Sequence, residues 1–351
     1  MSDVYLWETN VESIDSEEIT EKLEPFLEDF SKDKKLALKM HFGERKSDTH
    51  LKPEWVEPIY KAAEKRAKEA VLMDCTVLYN SPRALASSHK EVARDNGFDF
   101  APIVIADGEK GMKELKVEID GEIFNRVRLG KALEDYDCML AVTHFTGHIG
   151  SGFGGALKNI GMGLGSKAGK VEMHKAFDLN IKARECVACG ECIENCPEDA
   201  ISLSSGRTYL SSERAVIDHE ECIGCGSCIG VCPEGAVKIP WTSSSRKELQ
   251  KRIAEYAKGV VKNRNMFFVN FVLNVTKKCD CIDKKQEPFV EDVGILFSKD
   301  PVAIDQASLD LIGKSKFMIG EIMINPDIQL KHGEKIGLGN RNYKIKYMEN
   351  K

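Results

Sequence analysis

Cysteines at a fixed spacing are the most chemically informative residues of this sequence. Of the twelve cysteines in 351 residues, eight fall in two copies of the pattern C-x2-C-x2-C-x3-C-P. The second copy follows the first by 36 residues, and the eight cysteines are Cys186, Cys189, Cys192, Cys196, Cys222, Cys225, Cys228 and Cys232. Three thiolates at this spacing can wrap one corner of an iron–sulfur cubane, while the fourth reaches the other cluster.

The duplicated pattern predicts two [4Fe–4S] clusters whose ligands cross between the copies. The first cluster would use Cys186, Cys189, Cys192 and Cys232, and the second Cys222, Cys225, Cys228 and Cys196. Tetrahedral zinc also binds C-x2-C pairs, but it needs neither the third cysteine nor the proline after the fourth. Gly190, Gly224 and Gly226 permit tight turns around the clusters.

Residues 183–240 resemble the bacterial two-cluster ferredoxins, apart from a longer gap between the two motifs. This segment carries ten acidic and four basic residues, a net charge of -6 that equals the charge of the whole chain. Such a module can be steered to a basic docking patch on a redox partner protein, although acidic surfaces also serve solubility alone.

The chain before and after this segment alternates apolar strands with amphipathic helices. Strands are predicted at 35–42, 71–75, 102–106 and 138–143, and helices at 53–70 and 87–96, with Asp120-Gly121 as a hairpin turn at an antiparallel edge. The alternation resumes at a helix over 245–262. We therefore expect an α/β fold with a mixed, largely parallel sheet and flanking helices, plus a small α+β ferredoxin-like insert. The body would comprise 1–182 and 241–351, and the insert 183–240.

Composition and charge limit the class of protein. A formal net charge of -6 argues against a nucleic-acid binder that relies on phosphate contacts. The most apolar run, 266–273, is far shorter than the roughly 20 residues of a membrane span. The first ten residues show no secretory signal pattern. These features predict a cytoplasmic protein without a membrane or nucleic-acid partner.

A glycine-rich segment follows the strand that ends near Thr143. Gly150, Gly152 and Gly155 match G-x-G-x-x-G, which can cradle a phosphate where a strand turns into a helix. The match begins too far from the strand for a regular dinucleotide-binding turn, so close backbone packing is the alternative explanation.

Polar residues around that segment form a second candidate site. His144, His148, Lys158, Asn159 and His174 follow one strand, and ligands of such sheets usually bind at the carboxyl ends of the strands. His41 ends another predicted strand and could face the same crevice. Cys279 and Cys281, in a polar turn, could bind a metal, form a redox pair or line the site.

Four segments also resemble an uncharacterised family of iron–sulfur-centre proteins, domain of unknown function 362. They are 39–44, 146–159, 279–281 and 291–305 (LysMetHisPheGlyGlu at the first and CysAspCys at the third). The resemblance implies an α/β body and assigns no substrate.

Three functions follow from these patterns. The first is an iron–sulfur electron-transfer protein or redox subunit. The second is a ferredoxin-type oxidoreductase, a reductase that binds a small-molecule substrate in the body. The third is a binding or assembly protein with structural clusters.

Overall fold

The computed structural model describes residues 1–30, 32–79, 81–174, 179–196, 198–204, 213–222, 227–238, 243–317 and 324–349. The strands within these ranges are β1 (Ser2–Trp7), β2 (Lys35–Lys39), β3 (Glu69–Asp74), β4 (Ile103–Ile105), β5 (Glu114–Glu118), β6 (Arg126–Gly130), β7 (Cys138–His144), β8 (Thr146–His148), β9 (Gly152–Gly154), β10 (Asn180–Ile181), β11 (Ile201–Ser204), β12 (Arg214–Ile217), β13 (Val237–Lys238), β14 (Asn265–Val272), β15 (Gly294–Ser298) and β16 (Tyr343–Tyr347).

The helices in the same ranges are α1 (Ser16–Leu27), α2 (Pro53–Glu64), α3 (Ala86–Asp95), α4 (Ala156–Leu164), α5 (Lys167–His174), α6 (Glu191–Glu194), α7 (Ser227–Val231), α8 (Ser243–Val261), α9 (Pro301–Ile312) and α10 (Asp327–Lys335). Short 3₁₀ turns occur at Pro82–Ala84, Lys131–Asp135 and Lys314–Phe317. Within the described ranges, no helix has the length and apolar character needed to cross a membrane.

An eight-stranded sheet forms the body, in the order β16-β1-β15-β14-β7-β2-β3-β4. The run from β14 to β4 is entirely parallel, whereas β15 lies antiparallel to both of its neighbours. The predicted mixed, largely parallel sheet is confirmed. The sheet contains strands from both sides of residues 183–240 in the sequence.

Apolar strands bury both faces of this sheet. One core packs β-strand residues against α1, α2 and α3, and the other packs them against α4, α8, α9 and α10. Helix starts follow capping rules: Asp300 accepts hydrogen bonds from Val302 and Ala303 before the proline that opens α9. Gly97 has a φ of 87° after α3, as expected for a helix stop.

The hairpin around Asp120-Gly121 forms as predicted, but not at an edge of the main sheet. Strands β5 and β6 form a two-stranded sheet of their own, and Leu129 of β6 also makes an isolated bridge to Gly165. Hydrogen bonds from the amides of residues 122–124 to Glu255 attach the turn to α8. Helix packing therefore positions this hairpin, and β15 supplies the antiparallel element.

The cysteine-rich segment forms a small unit of short elements. Strand β10 pairs with β13, and β11 pairs with β12, both antiparallel. Helices α6 and α7 contain the third cysteine of each motif, Cys192 and Cys228, and pack against each other. Residues 205–212, within the longer gap between the two motifs, lie outside the described residues.

Candidate functional site

Four thiols converge on one cavity of the cysteine unit. Cys186, Cys189 and Cys192 of the first motif line it together with Cys232 of the second motif. Burial raises the pKa of the Cys192 thiol, and the neighbouring Cys232, Cys186 and Cys189 raise it further. The fold therefore brings the last cysteine of one motif to the first three of the other.

The backbone around this cavity is shaped for close approach to the thiols. Ala188 and Gly190 adopt left-handed conformations, with φ of 56° and 85°, so the loop curls around the cavity. The amide of Ala215 donates to the Cys186 sulfur at 3.4 Å, and that of Ala236 donates to the Cys232 sulfur at 3.2 Å. Four soft sulfur donors with N–H groups directed at them suit an iron–sulfur cluster.

The second predicted ligand set is partly described. Cys228 is buried in the core of the unit, and Cys196 and Cys222 are half-buried, whereas Cys225, Gly224 and Gly226 lie outside the described residues. In the ranges that the structure describes, no group of three or more His, Cys, Asp or Glu side chains is arranged to hold a single metal ion.

The cysteine unit packs directly on the body. Its core includes Leu78 and Val171, which belong to the body, beside Cys228. Gly230 of α7 approaches Ala84 and the Lys167 side chain so closely that a Cβ atom there would lie 2.9 Å from the Lys167 ammonium nitrogen. Lys167 in turn donates to the Ala84 carbonyl at 2.8 Å. This contact joins α7 to the 3₁₀ turn at 82–84.

The same turn carries Arg83, which anchors a buried charged centre. Arg83 is paired with Asp74 at 3.1 Å and with Glu44 at 2.9 Å, and Lys39 is paired with Asp74 at 3.1 Å. All four side chains are at most 3% exposed. Burial opposes ionisation of Asp74, but Lys39 and Arg83 outweigh it and hold the pKa of that carboxyl below its usual value.

Strand geometry explains how these charges meet. Lys39 is the last residue of β2 and Asp74 the last of β3, and these strands are parallel neighbours. Their carboxyl ends therefore open at one edge of the sheet, next to the end of β7. The charged centre lies at the edge where a ligand site was expected.

Two histidines complete the centre around Arg83. Its guanidinium contacts His41 at 2.7 Å and donates to the His89 Nε2 atom at 3.0 Å. Burial first, and then the positive charge of Arg83, lower the pKa of both imidazoles well below the usual value. Both rings are therefore neutral near pH 7.

Asn159 links this centre to the first turn of α4. Its side-chain oxygen accepts from Lys39 at 2.7 Å, and its amide donates to the Thr143 hydroxyl at 2.9 Å and the Val142 carbonyl at 3.1 Å. These contacts fix the neighbouring Lys158 at the same edge. Burial, helped by Lys39 and Arg83, lowers the pKa of the Lys158 ammonium to about 8.

His144 ends β7 and forms an ion pair with Asp280. The His144 Nδ1 atom donates to the Asp280 carboxylate at 2.8 Å, and its Nε2 atom donates to the Leu273 carbonyl at 2.9 Å. Both partners are acceptors, so both ring nitrogens carry protons. Burial opposes this charge, but Asp280 and the hydrogen bonds outweigh it and raise the pKa of His144.

The predicted C-x-C pair brackets that carboxylate. Cys279 and Cys281 form a disulfide on either side of Asp280, which also accepts from the Thr49 hydroxyl at 3.0 Å. The turn therefore presents Asp280, and not a free thiol, to His144.

The glycine-rich segment opens α4, as the sequence indicated, and before that it forms the β8–β9 hairpin, which was not predicted. The buried carboxylate of Asp305 accepts from the amides of Ala156 and Leu157 at 2.7 and 2.9 Å. Burial raises the pKa of Asp305 to about 6, although these hydrogen bonds oppose the shift. The Asp305 carboxylate thus takes the amides at the start of α4 that a phosphate would need. Nucleotide binding by Gly150, Gly152 and Gly155 stays a prediction.

The structure brings most of the predicted polar residues to one edge. His144 ends β7, His148 ends β8, and Lys158 and Asn159 lie at the start of α4. Burial lowers the pKa of His174, at the end of α5, to about 4, and Lys170 and Lys158 lower it further. His144 ends β7 and His148 ends β8, so the two side chains belong to different strands.

Sequence reasoning did not identify Arg83, Asp74 or Asp305 as site residues. Their positions in the sequence could have indicated a site. An ionisable residue at the end of an apolar strand, such as Lys39 or Asp74, is costly to bury without a partner, so it predicts an opposite charge nearby.

The matching family covers most of the chain. Residues 36–310 match the family described as Domain of unknown function (DUF362). The chain belongs to this DUF362 family. The family match does not by itself show the ferredoxin-like segment, and no curated protein matches the chain significantly.

Two solved structures are similar at low identity. One is a protein from Thermotoga maritima, with 13% identity and a TM-score of 0.44 over 87% of this chain and 59% of that one. The other is the lactate racemase apoprotein from Thermoanaerobacterium thermosaccharolyticum, with 12% identity and a TM-score of 0.42 over 88% of this chain and 56% of that one. This chain thus spans less than two thirds of the length of each of these two solved proteins.

Proposed function

We propose that this DUF362 protein is an iron–sulfur electron-transfer protein or redox subunit. One cluster would be held by Cys186, Cys189, Cys192 and Cys232, and the other by Cys196, Cys222, Cys225 and Cys228. When bound, such clusters accept and release single electrons. The observation that carries the proposal is the convergence of Cys232 with the three cysteines of the first motif around one cavity.

The protein surrounds the first ligand set in ways that favour a redox centre. Cys192 and Cys232 are almost fully buried, while Cys189 is exposed. Burial and N–H groups directed at sulfur are among the factors that set a cluster's reduction potential. The exposed side would let a partner approach closely, and the buried side faces the packed core.

The charge of the unit suits docking to a basic partner. Nine of its carboxylates are exposed: Glu191, Glu194, Glu198, Asp199, Glu213, Asp218, Glu220, Glu221 and Glu234. Glu185, in contrast, is half-buried and paired with Lys238 at 3.1 Å. We therefore expect electron exchange with a partner protein that slows as ionic strength rises.

A redox titration followed by electron paramagnetic resonance tests the proposal. Protein purified without oxygen should be reduced and reoxidised reversibly at potentials within the range of cellular carriers. Clusters that bleach on reduction, or that cannot be reduced, would contradict electron transfer and support a structural role.

A second candidate function is a reductase with its substrate in the body. The contact between α7 and the 3₁₀ turn favours it, because Gly230 approaches Ala84, the residue next to Arg83. A small organic acid that accepts electrons should then reoxidise the reduced protein faster than buffer alone does. Loss of that reaction in a Lys158→Met variant would support this function, and equal rates across a panel of acids would count against it.

A further inference from the structure

One cation at the carboxyl edge of the sheet has no partner of its own. In the described part of the chain, the Lys158 ammonium makes no hydrogen bond or ion pair with another residue, although it is only partly exposed. Its stem runs along Gly154, where a Cβ atom would lie 3.0 Å from the Lys158 Cδ atom. The lysine is therefore held in place without its charge being compensated.

The carboxylates near Lys158 are engaged elsewhere. Asp74 is shared by Lys39 and Arg83, and Glu44 accepts from Arg83 and from the Tyr79 and Ser81 hydroxyls. Asp280 is paired with His144 at 2.8 Å. The three carboxylates are matched by three cations, which are Lys39, Arg83 and the protonated His144. The charge of Lys158 is therefore in excess. A buried or half-buried charge of this kind calls for a counterion.

A second donor comes from the hairpin against which the Lys158 stem packs, since His148 ends β8 and Gly154 ends β9. The His148 Nδ1 atom lies 2.8 Å from the Ser151 hydroxyl, and it accepts from the amides of Gly150 and Ser151 at 3.2 and 3.0 Å, which can only donate. The pKa of this imidazole lies well below its usual value because of burial and the nearby Lys158 charge, so the ring is neutral. A neutral ring whose Nδ1 atom accepts must carry its proton on Nε2. That N–H has no hydrogen-bond partner among the residues described.

The donor set distinguishes between kinds of anion. Phosphate sites commonly use the backbone amides of a helix N-terminus, but here Asp305 occupies those of α4. What remains is one ammonium and one imidazole N–H, both from side chains. The ammonium and the imidazole N–H can each meet one oxygen of a carboxylate, and no backbone amide at the start of α4 is left for the further oxygens of a phosphate.

We propose that Lys158 and His148 bind the carboxylate group of a small organic acid at the carboxyl edge of β7. The ammonium supplies the charge and the Nε2–H group supplies direction. Asn159 acts as a positioning residue, because it fixes the first turn of α4 through Lys39 and Thr143. The site belongs to the body, so it does not depend on the clusters or on the electron-transfer function proposed above.

Calorimetric titration of the full chain with propionate tests this site, with inorganic phosphate and chloride as the other two arms. Saturable propionate binding should weaken about tenfold or more in Lys158→Met, as expected for a lost charge-assisted hydrogen bond. Lys277→Met, at an exposed lysine of the same edge, should leave the affinity unchanged. His148→Leu should weaken binding, and His148→Gln, which keeps a donor at the Nε2 position, should restore much of it.

Several results would overturn the proposal. They are binding that Lys158→Met leaves intact, phosphate binding in preference to propionate, or no saturable binding of any of the three ions. If Lys158→Met does not fold, the wild-type protein still decides the question. Limited acetylation followed by mass spectrometry should show that propionate protects Lys158 but not Lys277, and equal labelling with and without propionate would contradict the site.

Discussion

The cysteine unit and the charged centre of the body are polar regions of opposite design. The centre compensates its own charges, since Arg83 and Lys39 meet Asp74 and Glu44 within the protein. The cysteine unit instead directs four thiols at a cavity, with short strands and few apolar residues to support it. The first region is complete as folded, whereas the second leaves four thiols around a cavity. Substitutions in the two regions should therefore fail in different ways.

The largest effect is expected from replacing Cys232, the cysteine of the second motif that lines the cavity with three cysteines of the first. Cys232→Ser should lower the iron content from about eight to about four per chain, because one four-iron cluster loses a ligand. Cys138→Ser is the matched control, since Cys138 is buried at the start of β7 and lies outside both motifs. Iron analysis after anaerobic purification measures both. An equal iron loss in the two variants would mean that Cys232 is not a ligand.

Removing the cation at the heart of the centre should cost stability and leave iron in place. Arg83→Met leaves Asp74 and Glu44 partly uncompensated in a buried site, which should lower the free energy of unfolding by about 3–5 kcal/mol. Arg45→Met is the control, because its pair with Asp95 at 3.1 Å is about half exposed and should contribute about 0–1 kcal/mol. Denaturant unfolding compares them, and a small effect of Arg83→Met would show that the centre is not compensated as described.

The carboxylate that caps α4 should contribute less. Asp305→Ala leaves the amides of Ala156 and Leu157 and the Asn270 side chain without their acceptor, at an expected cost of about 2 kcal/mol. Asp310→Ala, one turn later on the same helix, removes contacts that are more exposed. The difference between the free energies of unfolding of the two variants measures the contribution of the Asp305 cap. Equal values would contradict that contribution.

The smallest effect concerns proton binding at His144. Its pKa is raised in the folded state, so its protonation stabilises the protein fully below the unfolded pKa of about 6.5, and this contribution disappears as the pH rises through the folded value. Asp280→Asn should lower the His144 pKa by about one unit, or ~1.4 kcal/mol of coupling. Nuclear magnetic resonance titration of the imidazole measures it, with the exposed Asp283→Asn as control. An unchanged titration curve in Asp280→Asn would show that Asp280 is not the partner.

The elements of the body were largely predictable, because their signals are local. The apolar runs at β2, β3 and β7 and the proline that opens α9 each mark an element within a few residues. The meeting of Cys232 with the first three cysteines was predicted from the duplicated spacing and not from a local signal. The hairpin at β5–β6 was assigned to the wrong place because its attachment depends on Glu255, more than a hundred residues later.

The charged centre was not predictable in the same way. Arg83 sits in a short turn after a proline, and nothing in its neighbourhood indicates that it reaches Glu44 and Asp74. Asp305 caps a helix that begins about 150 residues earlier in the chain. Contacts of this kind arise from sheet order, which is a property of the whole fold and has no fixed spacing in the sequence.

Iron and acid-labile sulfide analysis of the anaerobically purified wild-type protein tests the central claim most directly. Two [4Fe–4S] clusters predict about eight irons and eight sulfides per chain. A chain that contains zinc, or iron without sulfide, would contradict the account.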